Sequence, residues 1–110
     1  MRRASPSAGE RLAAVLRAAL PSFDGSAEVA ALASESWTSI TFAGERHRLR
    51  LELAGAGAGA AADRLIAVLA EPEVELPGHL LVDLQVTGDR RDAGGTRVEL
   101  ELAAITVVKG

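Results

Sequence analysis

The 110-residue chain has the length of one ordinary domain, and 48% of its residues are apolar, enough to bury a core without covalent staples. It contains no cysteine, which excludes disulfides, thiolate zinc sites, iron–sulfur clusters and cysteine nucleophiles. A net charge of −3 argues against general attraction to nucleic acid or anionic lipid, and Trp37, Phe23 and Phe42 are the only aromatic platforms.

A first helix is expected to open at Ser5-Pro6-Ser7, either with Pro6 after a Ser5 cap or with Ser7 and Glu10 as a capping box. Leu12, Val15, Leu16, Ala19 and Leu20 recur at helical spacing, Pro21 stops the run and Asp24-Gly25 reads as a turn. Arg17 interrupts the apolar stretch 12–16, so the segment does not fit an export signal. No run approaches the roughly 20 apolar residues of a membrane span.

Residues 26–36 are compatible with a short helix or a strand. The reading preferred is one long strand running on through Trp37-Thr38-Ser39-Ile40-Thr41-Phe42, bulged near Ser34-Glu35. In that register Ile40 and Phe42 are buried and Trp37 points to the opposite side. Ala43-Gly44-Glu45 reads as the turn, and residues 46–53 then alternate, with Leu49, Leu51 and Leu53 on one side and Arg48, Arg50 and Glu52 on the other.

Gly55 to Gly59 reads as a low-complexity hinge before a second helix at about 60–70, whose inner face holds Ala62, Leu65, Ile66 and Leu69 and which Pro72 ends. A short extended piece, residues 73–76, closes at Pro77-Gly78. The third strand is expected to turn Leu80, Val82, Leu84 and Val86 inward, and residues 88–95 to form a mobile hairpin tip. The fourth places Val98, Leu100 and Leu102 inward. A slip of phase at Ala103-Ala104 then hands the inner face to Ile105 and Val107.

These elements predict a single α+β domain over residues 1–110, a two-layer sandwich in αββαββ order. Its four-stranded, mainly antiparallel sheet carries two helices on one face. Arg11 to Leu16 echoes Arg64 to Leu69, which raises a duplicated αββ unit. With a right-handed crossover, strands two and three run parallel and strand four fits between them.

Two helices cover only one face of such a sheet. The other is expected to gather Trp37, Arg46, Arg48, Arg50, Asp83, Glu99 and Glu101, with arginines of strand two opposite glutamates of strand four. That is the candidate interaction face, and a lone exposed tryptophan on it suits a subunit contact. Gly55-Ala-Gly57-Ala-Gly59-Ala60 matches the loose dinucleotide fingerprint. The preceding strand alternates charge with leucine instead of being apolar on both faces, so a flexible connector is preferred. His47 and His79 each begin a strand, His47 in phase with Leu49 and His79 in phase with Asp83, which sets them on opposite faces; no third ligand joins them.

Three functions follow. The preferred one is a non-enzymatic interaction or structural module that self-associates, a dimer being favoured, through its open face or a strand edge. The second is a module binding a small anionic ligand or RNA through Arg46, Arg48 and Arg50. The third is a small enzyme using His47 and His79. No cofactor, metal or membrane partner is expected. Eleven arginines against one lysine, with abundant alanine and glycine, fit a GC-rich bacterial coding sequence, and a cytoplasmic location is expected.

Overall fold

The computed structural model describes residues 7–71 and 75–109. In chain order the elements are α1 (Ala8–Ala19), β1 (Asp24–Thr38), β2 (Ala43–Ala56), α2 (Ala58–Leu69), β3 (His79–Arg91) and β4 (Arg97–Val108). One four-stranded sheet has the order β1-β2-β4-β3, with every neighbouring pair antiparallel. Strands β2 and β3 therefore run parallel with β4 between them. Each αββ half contributes an edge strand and then a central strand, so the halves meet at the β2–β4 pair.

Helix α1 starts where Ser7 accepts a hydrogen bond from the Glu10 amide at 3.1 Å, the first half of a capping box. The alternative cap at Ser5-Pro6 lies outside the described residues, as do Pro72, Glu73 and Val74. Leu12 and Leu16 of α1 and Leu65 and Leu69 of α2 are buried over Leu49, Leu51 and Leu53 of β2 and Val98, Leu100 and Leu102 of β4. This is one aliphatic core between two helices and one sheet face. No helix among the described residues is long and apolar enough to cross a membrane.

Several expectations from the sequence are corrected. Residues 26–36 are strand throughout, but the bulge falls at Leu32, between Ala31 and Ala33, not at Ser34-Glu35; Asp24 and Gly25, read as a turn, already pair with Ala56 and Gly55. β1 ends at Thr38, and the turn is 39–42 instead of 43–45. Ser39 closes it: its hydroxyl accepts from the Phe42 amide at 3.0 Å, and its own amide donates to the Phe42 carbonyl at 2.7 Å. Ile40 is consequently wholly in solvent and Phe42 is 57% exposed.

β3 carries two bulges, one between Leu81 and Asp83 and one between Val86 and Gly88. Each extra residue switches the strand's faces. Leu84 and Val86 pack on the core as expected, joined by Leu81, whereas Leu80 and Val82 face away at 52% and 61% exposure. β4 has no slip at all. Ala104 and Thr106 continue the inner row of Val98, Leu100 and Leu102, so Ile105 and Val107 lie outward. Finally, residues 88–91 pair with Glu101 to Val98, and the hairpin loop is only 92–96. Asp92 organises that loop by accepting from the amides of Thr96 and Arg97 and the Thr96 hydroxyl. Those hydrogen bonds hold its carboxyl below the ordinary range.

Candidate interaction face

The pairing registers define the sheet face that the helices leave open, tier by tier across β1, β2, β4 and β3. Glu28, Glu52, Glu99 and Arg90 form one tier near the 92–96 loop; Ala30, Arg50, Glu101 and Gly88 form the next. Then come Ala33, Arg48, Ala103 and Gln85, followed by Glu35, Arg46, Ile105 and Asp83. The last tier is Trp37, Gly44, Val107 and Leu80. All seven residues expected on this face are on it.

Its two ends differ in chemistry. At the charged end Arg50 Nε lies 3.0 Å from Glu99 Oε1, and Arg90 reaches the other carboxylate oxygen at 3.3 Å. The Arg50 Nε–H does not point at the oxygen, so this contact is an ion pair without a hydrogen bond. Arg50 also stands opposite Glu101 at 3.7 Å. Such half-exposed pairs contribute about 0–1 kcal/mol each. The expected arginine–glutamate ladder stops there. Arg48 faces Ala103 and Arg46 faces Ile105, and neither arginine makes an ion pair among the described residues.

At the other end Trp37, Phe42, Leu80, Val82, Ile105 and Val107 line a groove of about 500 Å³ with Arg46 at its rim. Gly44 makes it possible. A Cβ there would run into the β4 main chain at Thr106 and stand 2.9 Å from the Trp37 ring, so only glycine lets the indole lie across β2. The indole N–H is buried and has no hydrogen-bond partner among the described residues. The sequence pattern places Trp37 here but points Leu80, Val82, Ile105 and Val107 to the core. The signal was present in their apolar character; what the pattern lacked was the side.

Opposite this groove, on the helix side, β1 and β2 bring polar groups beside Ala104, Leu81 and Leu84. His47, 2% exposed, bonds through Nδ1 to the Ser34 hydroxyl at 2.8 Å and through Nε2 to the Thr106 hydroxyl at 2.9 Å. Burial lowers its pKa; the nearby Glu45 charge opposes this and His79 adds to it. Gly9 of α1 sits directly above, where a Cβ would be 3.0 Å from the Ser34 oxygen. The expectation that His79 sits on the opposite face from His47 is also corrected. His79 lies in phase with Leu81, on the helix side, and the bulge at Val82 moves Asp83 to the other face. With both nitrogens of His47 engaged by hydroxyls, the imidazole is a tie across β1, β2 and β4. Among the described residues no cluster of three metal-ligating side chains exists.

The glycine tract is a bonded corner. Gly57, at φ +85°, caps α2, the Gly59 amide donates to the Gly95 carbonyl at 3.0 Å, and Arg91 ties Asp63 to the β3–β4 hairpin at 2.8 Å. The helix start that a dinucleotide phosphate would occupy is covered by the 92–96 loop.

No family model, curated protein or solved structure matches the chain. Its surface chemistry is therefore what bears on function.

Proposed function

We propose that this protein is a non-catalytic interaction module that self-associates through the apolar end of its open sheet face. The observation that carries this reading is the groove of Trp37, Phe42, Leu80, Val82, Ile105 and Val107: apolar side chains from β1, β3, β4 and the β1–β2 turn gathered on the open face. A sheet end of this kind, beside side chains of alternating charge (Glu35, Arg46, Asp83), has the anatomy of an interface core and rim. The strand edges are less suited. β3 is broken by two bulges, and β1 by one, with Arg17 donating to the Val29 carbonyl at 2.8 Å.

Analytical ultracentrifugation at micromolar concentration tests this. The wild-type chain is expected to form a reversible dimer, and Leu80→Asp to remain monomeric with unchanged circular dichroism and Tm. A wild-type chain that stays monomeric at a few hundred micromolar overturns the reading.

A second reading rests on Arg46 and Arg48, which lack carboxylate partners beside a hollow of about 480 Å³ on the same face. They suit a small anionic ligand, although Glu35 and Asp83 in the hollow's lining offset their charge. Thermal stabilisation by inorganic phosphate, lost when Arg46, Arg48 and Arg50 are changed together to Glu, would favour it.

A further inference from the structure

Resting on the self-association reading, we infer that two copies meet only by their apolar ends, about a two-fold axis lying across the strands at the Trp37–Leu80 tier. The acidic ends of the two sheets then point in opposite directions. The occupant of the groove is a second copy of this chain, and the distribution of charge along the face selects this arrangement over the other ways of stacking two sheets.

A two-fold axis running along the strands would lay each tier on its own counterpart with the strand order reversed. Glu52 would then press on Glu99 of the other copy and Glu35 on Asp83, offset by Arg50 on Glu101 and Glu28 on Arg90. Charge pairing gives this overlap nothing to set against the desolvation of the whole charged end. A two-fold axis across the strands at the middle of the face would stack Arg48 on Arg50 and Glu28 on Glu35, alongside Glu52 on Arg46 and Arg90 on Asp83. It would also set the Trp37 tier against Ser26 and Arg97. Both overlaps take Arg50, Glu99 and Glu101 out of water, a cost their mutual attraction does not recover. Moving the axis to the apolar end leaves every one of these charges hydrated. It places Trp37 over Trp37 and Leu80 over Leu80, and it separates the two glutamate tiers as far as the fold permits.

The β1–β2 turn supports the same placement. Ser39 fixes the turn so that Ile40 projects wholly into solvent, beyond the last tier of its own sheet. With the axis at that tier, Ile40 reaches past it and covers the aliphatic stem of Arg46 on the other copy. The exchange is reciprocal, as a two-fold contact requires. So small an interface fits a weak dimer rather than an obligate one.

The absence of cysteine makes a direct measurement simple. Ala93→Cys places one spin label on the exposed 92–96 loop, at the charged end and outside every arrangement considered. Tiers are spaced by about 7 Å along the strands, so the end-to-end dimer is expected to give a label separation of roughly 70 Å. A separation near 40 Å indicates the mid-face overlap, and one below about 25 Å the overlap about a strand-parallel axis. Either of these, or species larger than a dimer in the ultracentrifuge, overturns the arrangement while leaving self-association standing. A monomer in the ultracentrifuge with no dipolar signal overturns the reading beneath it. As a second check, Ile40→Ser in the otherwise unchanged chain is expected to weaken dimerisation at least fivefold without moving Tm; an unchanged dimerisation constant removes the turn from the interface.

Discussion

The two ends of this sheet have opposite polarity. Near the 92–96 loop the helix side is leucine and the open side is charged. At the β1–β2 turn the helix side holds His47, Ser34 and Thr106, and the open side holds Trp37, Ile105, Val107 and Leu80. The same strands supply both ends, and β4 alternates without interruption through the change. Two different forces therefore fix the sheet against its helices, aliphatic burial at one end and a hydroxyl–imidazole–hydroxyl tie at the other. The apolar residues displaced outward by that tie form the groove.

The largest effect should come from the aliphatic end. Leu100 is fully buried, and Leu100→Ala is expected to cost about 3 kcal/mol in urea unfolding through lost burial and a residual cavity. Ile105, of similar size and only five residues along the same strand, faces outward, and Ile105→Ala should cost under about 1 kcal/mol in the monomer. Equal losses at the two positions would mean that the polarity does not invert. Next comes the tie. His47→Ala leaves the buried Thr106 hydroxyl without its partner and opens a cavity, and is expected to cost about 2–3 kcal/mol. Replacing all three partners together (Ser34→Ala, His47→Leu, Thr106→Val) leaves no unsatisfied group and should recover at least half of that loss.

What could be read in advance follows from this inversion. Alternation along β2 and the first half of β4 was legible because leucine and charge occupied opposite phases, and one phase had to be buried. The Ser7–Glu10 cap was legible because it is local. The open-face positions of Leu80 and Val82 were not, because an alternating run keeps its rhythm across a bulge while the faces exchange. The outward positions of Ile105 and Val107 are not legible either, because apolar character by itself points to the core side. Only the distant pairing of Thr106 with a histidine of β2 shows that the inner position was already taken by polar groups. All seven proposed face residues do share one face, but the groove beside them was hidden for the same reason.

The tie also predicts a pH dependence. Because burial depresses the pKa of His47 in the folded state, the unfolded chain binds a proton near pH 6.5 that the folded chain still refuses. Its contribution is thus complete above that value and is lost as pH falls, by at most about 1.4 kcal/mol per unit until the folded-state pKa is reached. Glu45 and His79 lie near enough to modulate this, so the useful comparison is with His47→Gln, which keeps polarity without titrating. Urea unfolding at pH 7.5 and 5.5 should show the wild type losing more stability on acidification than the variant; parallel losses would mean that His47 is not the group responsible.

The smallest effect belongs to the charged end, and its sign is informative. Glu52 stands directly opposite Glu99 on β4 and opposite Glu28 on β1, with no ion-pair partner of its own among the described residues. Glu99, by contrast, is held by Arg50 and Arg90. Glu52→Gln should therefore stabilise the monomer by a few tenths of a kcal/mol, since like charges facing across strands oppose pairing. Glu99→Gln loses two weak attractions and relieves one repulsion, and should fall within about 0.5 kcal/mol of zero. Raising sodium chloride to about 0.5 M shrinks the Debye length to a few ångströms and should erase the gain from Glu52→Gln. A gain that persists in salt would come from packing instead. The tier of glutamates would then not be the repulsive surface that keeps this end of the sheet in water and leaves association to the other.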